Sequence, residues 1–460
     1  MSSFALWRLF HRGGNRGFSS TSLLAVIAFA AASAIFLTVL GGVHAFVWRS
    51  SPSHGLVEAF SGQSAQSGEN AIYVILSLFA CMLLLVPFAS LSASAARLAA
   101  ARRDARLAAL RLAGATSGQV SRLTALEAAG QALIGSLIGM VLYVAMIPLI
   151  MPLHFQGRGF AVEELWVGPV ALLVVAVLMT VLALISALSA LMRVVVTPLG
   201  VSARVAPAAL RKWRLIVFLV AIIAAVGIMK SPLSRYFGQA VAIAIVFGVI
   251  AACFALVNLI GPWVIAARAR MRIRRPRNAT TLVAMRRVLD NPKRAWRNVS
   301  GIALAVFVAG ITSVCAYVGS AAQGSSEDMT LLRDIGTGGM LTLAFAAVLA
   351  AVSCGVMQAG NVYDQADQYR MLVLEGADRA TLSKARFIEV FTPLKVVVLV
   401  SAACSVVLML PLLGAAMTQP LTLLGFVGGV ALCFLLVGIG VAAANHVAKG
   451  IGIVGERSDD

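Results

Sequence analysis

Two short stretches carry the side chains best placed to do work in this chain, and that work is contact, not covalent chemistry. The first reads Arg102-Arg103-Asp104-Ala105-Arg106-Leu107-Ala108-Ala109-Leu110-Arg111-Leu112-Ala113-Gly114-Ala115-Thr116. Leu107, Leu110 and Gly114 fall on one helical face, with Arg102, Arg103 and Arg106 at its border. The small residues at 113–115 allow close backbone approach, and the Gly-Ala-Thr-Ser run breaks the helix. A relative of this stretch returns around Leu372. With Leu110 set on Leu372, Leu112 meets Leu374, Gly114 meets Gly376, Ala115 meets Ala377 and Glu127 meets Glu389. The second copy adds two acids, Glu375 and Asp378. Each copy joins two long apolar runs. A duplicated element at the root of paired membrane helices is a surface on which an outside machine can push twice.

Residues for bond-making chemistry are scarce. The histidines at 11, 44, 54, 154 and 446 are scattered, and no nucleophile–base or carboxylate pair is visible. Cys81, Cys253, Cys315, Cys354, Cys404 and Cys433 all fall in apolar runs with no CxxC spacing, which points to small buried hydrophobes and no metal site. No Gly-x-x-x-x-Gly-Lys-Ser/Thr occurs, so no phosphate-binding loop is expected. The sequence reads as a non-enzyme with no cofactor of its own.

The elements that position the two stretches are membrane helices. The chain has 460 residues, 60% hydrophobic and 12% charged, with a mean hydropathy of +0.94. Such a chain is an all-α polytopic membrane protein, because helices satisfy their own backbone groups in lipid. We expect ten transmembrane helices: 20–47, 70–96, 123–152, 165–193, 213–230, 237–265, 298–321, 337–361, 389–413 and 421–444. The first is too long for a signal-peptide core and lacks a convincing cleavage site.

Charge placement sets the expected orientation. Of the 37 Lys and Arg, only Arg49, Arg158, Lys230, Arg235 and Arg333 fall outside, and Lys395 lies within a span. The remainder fall inside, the positive-inside pattern, with both termini cytoplasmic. The net charge of +19 is therefore topogenic, with membrane lipids as its partner and no nucleic acid. Deep acids suited to ion coupling are missing, and Lys395 reads as a side chain snorkelling to the headgroups.

The spans group as four, two, four. Residues 1–205 and 278–460 each form a four-span repeat, and 206–277 form a linking two-span hairpin. Six spans separate the two starts, so the repeats are parallel. Leu6-Trp7-Arg8-Leu9-Phe10 and Met285-Arg286-Arg287-Val288-Leu289 are basic amphipathic lead-ins suited to interfacial helices. Arg268 to Arg277, with its Arg-Pro-Arg, is expected to be a non-helical joint. The outside loops at 48–69 and 322–336 are too short to fold as domains. Gly135-x-x-x-Gly139 and Gly425-x-x-x-Gly429 read as helix-packing pairs.

Two Arg near the end of a span, then Leu110-Arg111-Leu112-Ala113-Gly114-Ala115, then Leu126-Glu127-Ala128 entering the next span, resemble the FtsX-like permease family of ABC transporters, the MacB-type mechanotransmission class. Thr197-Pro198-Leu199-Gly200-Val201 is similar to the way related permeases leave their fourth span. The ten-span plan resembles the bacitracin-resistance permeases without their large extracellular domain. The second copy departs from the family pattern: Asp367-Gln368 stand where basic residues are expected, and Glu375 stands at the place of Ala113.

The resemblance implies a permease subunit in the bacterial plasma membrane, working with a separate cytoplasmic ABC ATPase. Two coupling elements imply two copies of it, with ATP and Mg held on that partner. Arg106, Leu110, Leu112, Gly114, Ala115 and Thr116 would form the first ATPase-coupling contact. Leu372, Leu374, Glu375, Gly376, Ala377 and Asp378 would form the second. The expected activity is export or extraction of a lipophilic, lipid or antimicrobial-peptide substrate. The alternative is a non-transporting mechanotransmission regulator of an envelope protein or sensor kinase.

Overall fold

The computed structural model describes residues 20–50, 71–85, 88, 91–92, 116–195, 213–231, 239–276, 278–321, 326–364, 371, 376 and 379–409, with scattered positions between 427 and 442. These residues are helical apart from turns and one isolated bridge between Phe155 and Arg158. In chain order the helices are α1 (Ser20–Ser50), α2 (Ala71–Leu85), α3 (Ser117–Ile150), α4 (Val162–Leu165) and α5 (Gly168–Val195). They continue as α6 (Trp213–Lys230), α7 (Gln239–Arg274), α8 (Ala279–Asp290), α9 (Pro292–Ala321), α10 (Ser326–Asp364) and α11 (Arg379–Met409).

Six stretches among the described residues are long and apolar enough to cross a membrane. They are Ser22–Ser50, Ala125–Ile150, Val162–Leu188, Gly248–Arg274, Arg333–Gln358 and Lys384–Leu408. Shorter apolar helices at Ala71–Leu85, Trp213–Ile228 and Val299–Val308 fall on the expected second, fifth and seventh spans. The tenth expected span and the Gly425/Gly429 pair lie largely outside the described residues.

α9 is the centre of the bundle. Ile302 through Phe307 are all fully buried, so every face of that helix is covered. It packs against α10, α11 and α7. α1 packs against α3, and α3 against α5. α10 also reaches α1. α5 is the opposite case, with Val170, Leu173, Val174, Val177, Val181 and Ile185 exposed along it, as a lipid-facing helix requires. Several hydroxyls inside the bundle are satisfied within their own helix. Ser33, Thr38, Ser136 and Thr342 each donate a hydroxyl to the carbonyl four residues earlier, at 2.8 Å.

Small residues set the closest helix contacts. At Gly135 an added Cβ would stand 2.5 Å from Phe29 Cβ and 2.9 Å from Val26 O. At Gly139 it would overlap Ser33. The Gly135/Gly139 pair is therefore the seam that seats α3 on α1.

One expectation is corrected. The basic stretch from Arg268 is not a non-helical joint: α7 continues through Arg268, Arg270, Arg272 and Arg274, and the helix stops at Arg275-Pro276. Arginine is a good helix former, and only the residue before the proline is driven from helical geometry. The lead-in at 285–289 is helical as expected. It lies in α8, whose Ala284, Met285 and Val288 are buried against the bundle. Pro292 then opens α9 at its first turn, with Asn291 Oδ1 accepting from the Arg294 N–H at 3.0 Å.

Candidate coupling site and the opposite end

Of the residues expected to couple to an ATPase, the structure describes Thr116 and Gly376. Arg106, Leu110, Leu112, Gly114, Ala115, Leu372, Leu374, Glu375, Ala377 and Asp378 lie outside the described residues. Thr116 caps α3. Its hydroxyl accepts from the Gln119 N–H at 3.3 Å, and the Gln119 side chain accepts from the Thr116 N–H at 3.1 Å. This reciprocal box satisfies two helix-end donors and fixes where the span begins. Gly376 has φ +92, backbone that a side chain rarely adopts, and nothing lies within 4 Å of an added Cβ. It is exposed in a turn. α3 begins at Ser117, three residues after Gly114, and α11 begins at Arg379, three residues after Gly376. The matched glycines thus precede the two helices by the same interval.

Just beyond the second element, α11 is tied to its neighbours. Arg287 Nη1 of α8 stands 3.9 Å from Glu389 Oε2 of α11, with both side chains largely buried. α8 packs between α7 and α11. Lys395 is exposed on the outer surface of α11, the placement a snorkelling side chain needs.

The best-organised polar structure is at the other end of the bundle, and sequence reasoning missed it. Residues 151–167 join α3 to α5 as a tight cap. Arg49, the penultimate residue of α1, is its staple. Arg49 Nη2 donates to Glu164 Oε2 at 2.7 Å and to the Gly159 carbonyl at 2.7 Å. Nη1 donates to the Phe155 carbonyl at 2.9 Å, and Nε lies 3.1 Å from both Glu164 oxygens. The guanidinium sits 4.5 Å over the Phe160 ring. Its side chain is only 2% exposed and that of Glu164 only 8%. His44 Nδ1 lies 2.8 Å from the Glu164 carbonyl, and Tyr143 donates its hydroxyl to the Leu165 carbonyl at 2.5 Å.

A second contact sits beside the cap. Asp334, at the start of the α10 span, accepts on Oδ2 from the Tyr73 hydroxyl at 2.8 Å and from the Gln156 N–H at 2.7 Å. The available sequence signal was slight: charges at 49, 164 and 334, each at the rim of an apolar run. Among the described residues no group of three His, Cys, Asp or Glu side chains stands ready to hold a metal.

Neither a curated protein nor a solved structure matches this chain. Residues 77–198 match the family model for the FtsX-like permease C-terminal domain. The match takes in the first stretch expected to couple, all of α3 and α5, and Thr197-Pro198 at its end. Residues 77–198 are therefore similar to the FtsX-like permease C-terminal domain, within a chain whose apolar helices suit a multi-pass membrane protein.

Proposed function

We propose that this chain is the permease subunit through which a separate cytoplasmic ABC ATPase moves a substrate already resident in the membrane. The observation carrying the reading is the FtsX-like match at 77–198, which covers the first coupling element, the later part of α2 before it and all of α3 after it. In this reading two ATPase copies, holding ATP and Mg, press on 98–122 and 363–388. The strokes enter α3 and α11 at their capped or glycine-turned bases. Residues 1–205 and 278–460 act as two parallel four-span units, linked by 206–277, in a bacterial plasma membrane with both termini inside. The described outer surface is a short cap, which suits a lipid, a lipophilic compound or a membrane-inserted peptide better than a bulky soluble cargo.

The test uses membranes holding this chain together with a co-expressed candidate cytoplasmic ABC ATPase. Gly114→Glu places a charge where a small residue permits close approach, outside the bilayer. Gly376→Glu does so at the second element and also strains the turn. Each variant inserts normally and lowers both ATPase co-purification and substrate-stimulated hydrolysis, the first more than the second. Normal binding and stimulation in the double variant would refute the coupling assignment. Stimulated hydrolysis without movement of any membrane substrate would favour the regulator of an envelope protein or sensor kinase.

A further inference from the structure

Asp334 joins three parts of the chain that are far apart in sequence. One carboxylate oxygen of α10 receives the hydroxyl of Tyr73 from α2 and the backbone N–H of Gln156 from the cap. Asp334 is 5% exposed and Tyr73 is 6% exposed. Tyr73 is held in place by Phe46 of α1, ring to ring at 5.6 Å. Gln156 presents its N–H from a left-handed conformation, φ 58, which a non-glycine residue adopts only when its surroundings hold it there. The packing of α10 on α1 passes beside this contact.

Its character differs from that of the Arg49 staple. Arg49 and Glu164 pair inside one group of helices, and separating them would strand the buried guanidinium and leave Glu164 only the exposed Arg158 and the Ala161 N–H. Asp334 is a single carboxylate held by two neutral donors, at the rim of the bundle where Arg333 next to it is exposed. Once α10 moves away, water could reach the carboxylate at this rim and take the place of the tyrosine hydroxyl and the amide. The contact is strong enough to hold two groups of helices together and cheap enough to open.

We propose that Asp334 is a latch: it holds α10 against α2 and the 151–167 cap at rest, and the ATP-driven stroke opens it, parting the helices at that end. This rests on the permease reading above. The latch places the cost of opening at the end of the bundle away from the ATPase, so substrate passage there is shut until both coupling elements have moved.

Two variants of the ATPase complex test it. Tyr73→Phe keeps the ring on Phe46 and removes only the donor, so the fold is retained. It raises substrate-free ATP hydrolysis roughly tenfold, the effect of losing a hydrogen bond to a charged acceptor. In a background with the six native cysteines replaced by alanine, Tyr73→Cys and Asp334→Cys are bridged by a short bis-methanethiosulfonate. The bridge forms in the nucleotide-free complex, falls off in the vanadate-trapped complex, and stops stimulated hydrolysis until a thiol reductant restores it. Equal bridging in both states, or full hydrolysis by the bridged complex, overturns the latch while leaving the permease reading intact. Unchanged substrate-free hydrolysis in Tyr73→Phe does the same. A wild-type chain that captures no ATPase overturns the permease reading, and the latch falls with it.

Discussion

Trp296 lies directly over Gly261. An added Cβ on Gly261 would overlap the six-membered ring of the indole, and Trp296 Nε1 donates to Asn258 Oδ1 at 3.0 Å one turn away. The pair seats the start of α9 on α7, in the turn where Pro262 already removes a helix hydrogen bond. Gly261→Ala therefore overpacks a contact with little room to relax, at a cost of about 1–3 kcal/mol. Thermal unfolding in detergent should show a lower midpoint. Gly248→Ala, where nothing stands within 4 Å, is the control and leaves the midpoint unchanged or higher.

The Arg49 staple gives a prediction with an internal check. Arg49→Met leaves the Glu164 carboxylate buried without its main partner, which costs about 3–5 kcal/mol. Adding Glu164→Gln to that variant removes the stranded charge and recovers part of the loss. Denaturant midpoints of the single and double variants measure the recovery. A double variant no better than Arg49→Met would mean that the carbonyl contacts to Phe155 and Gly159 carry the stability, not the ion pair.

At the α1–α3 seam, Gly139→Val forces the helices apart, because its Cβ position already overlaps Ser33. We expect a sharp drop in monodisperse protein recovered from membranes. Gly130→Ala, in open space on the same helix, has no such effect.

Orientation is checked by labelling single cysteines. Phe60→Cys and Ser325→Cys react with a membrane-impermeant maleimide from outside, and Arg272→Cys reacts only after permeabilisation. Outside labelling at 272 would reverse the arrangement inferred from the charge distribution.

Some of this architecture is local and was legible. The Gly135/Gly139 spacing announces a close helix contact, and the amphipathic lead-in around Met285 forms α8. The register that matches Gly114 to Gly376 also matches the starts of α3 and α11. The Arg268–Arg274 stretch departs from the expected joint because its proline ends only the last turn and leaves the arginine run helical. The cap was not legible for a different reason. Arg49 meets Glu164 across 115 positions of chain, and Tyr73 meets Asp334 across 261. Neither spacing has a period, and a lone charge at a span end looks the same whether it is solvated or clamped. The outer end is built from such pairings, so its order appears only in three dimensions.

The Arg49 staple fixes what kind of motion the first group of helices can make. α1 ends in the guanidinium, while α3 and α5 leave from the two sides of the loop that the guanidinium holds. Three rods pinned at one point cannot slide past one another along their lengths. A push on the far end of α3 must therefore turn the trio together about the pin, like the legs of a tripod about its head. The sweep is widest at the helix ends away from the cap and smallest at Arg49, so the Asp334 contact beside it would open through movement of α10 and not of the trio. In the permease reading proposed above, a membrane substrate would then meet a tilting wall, not a piston.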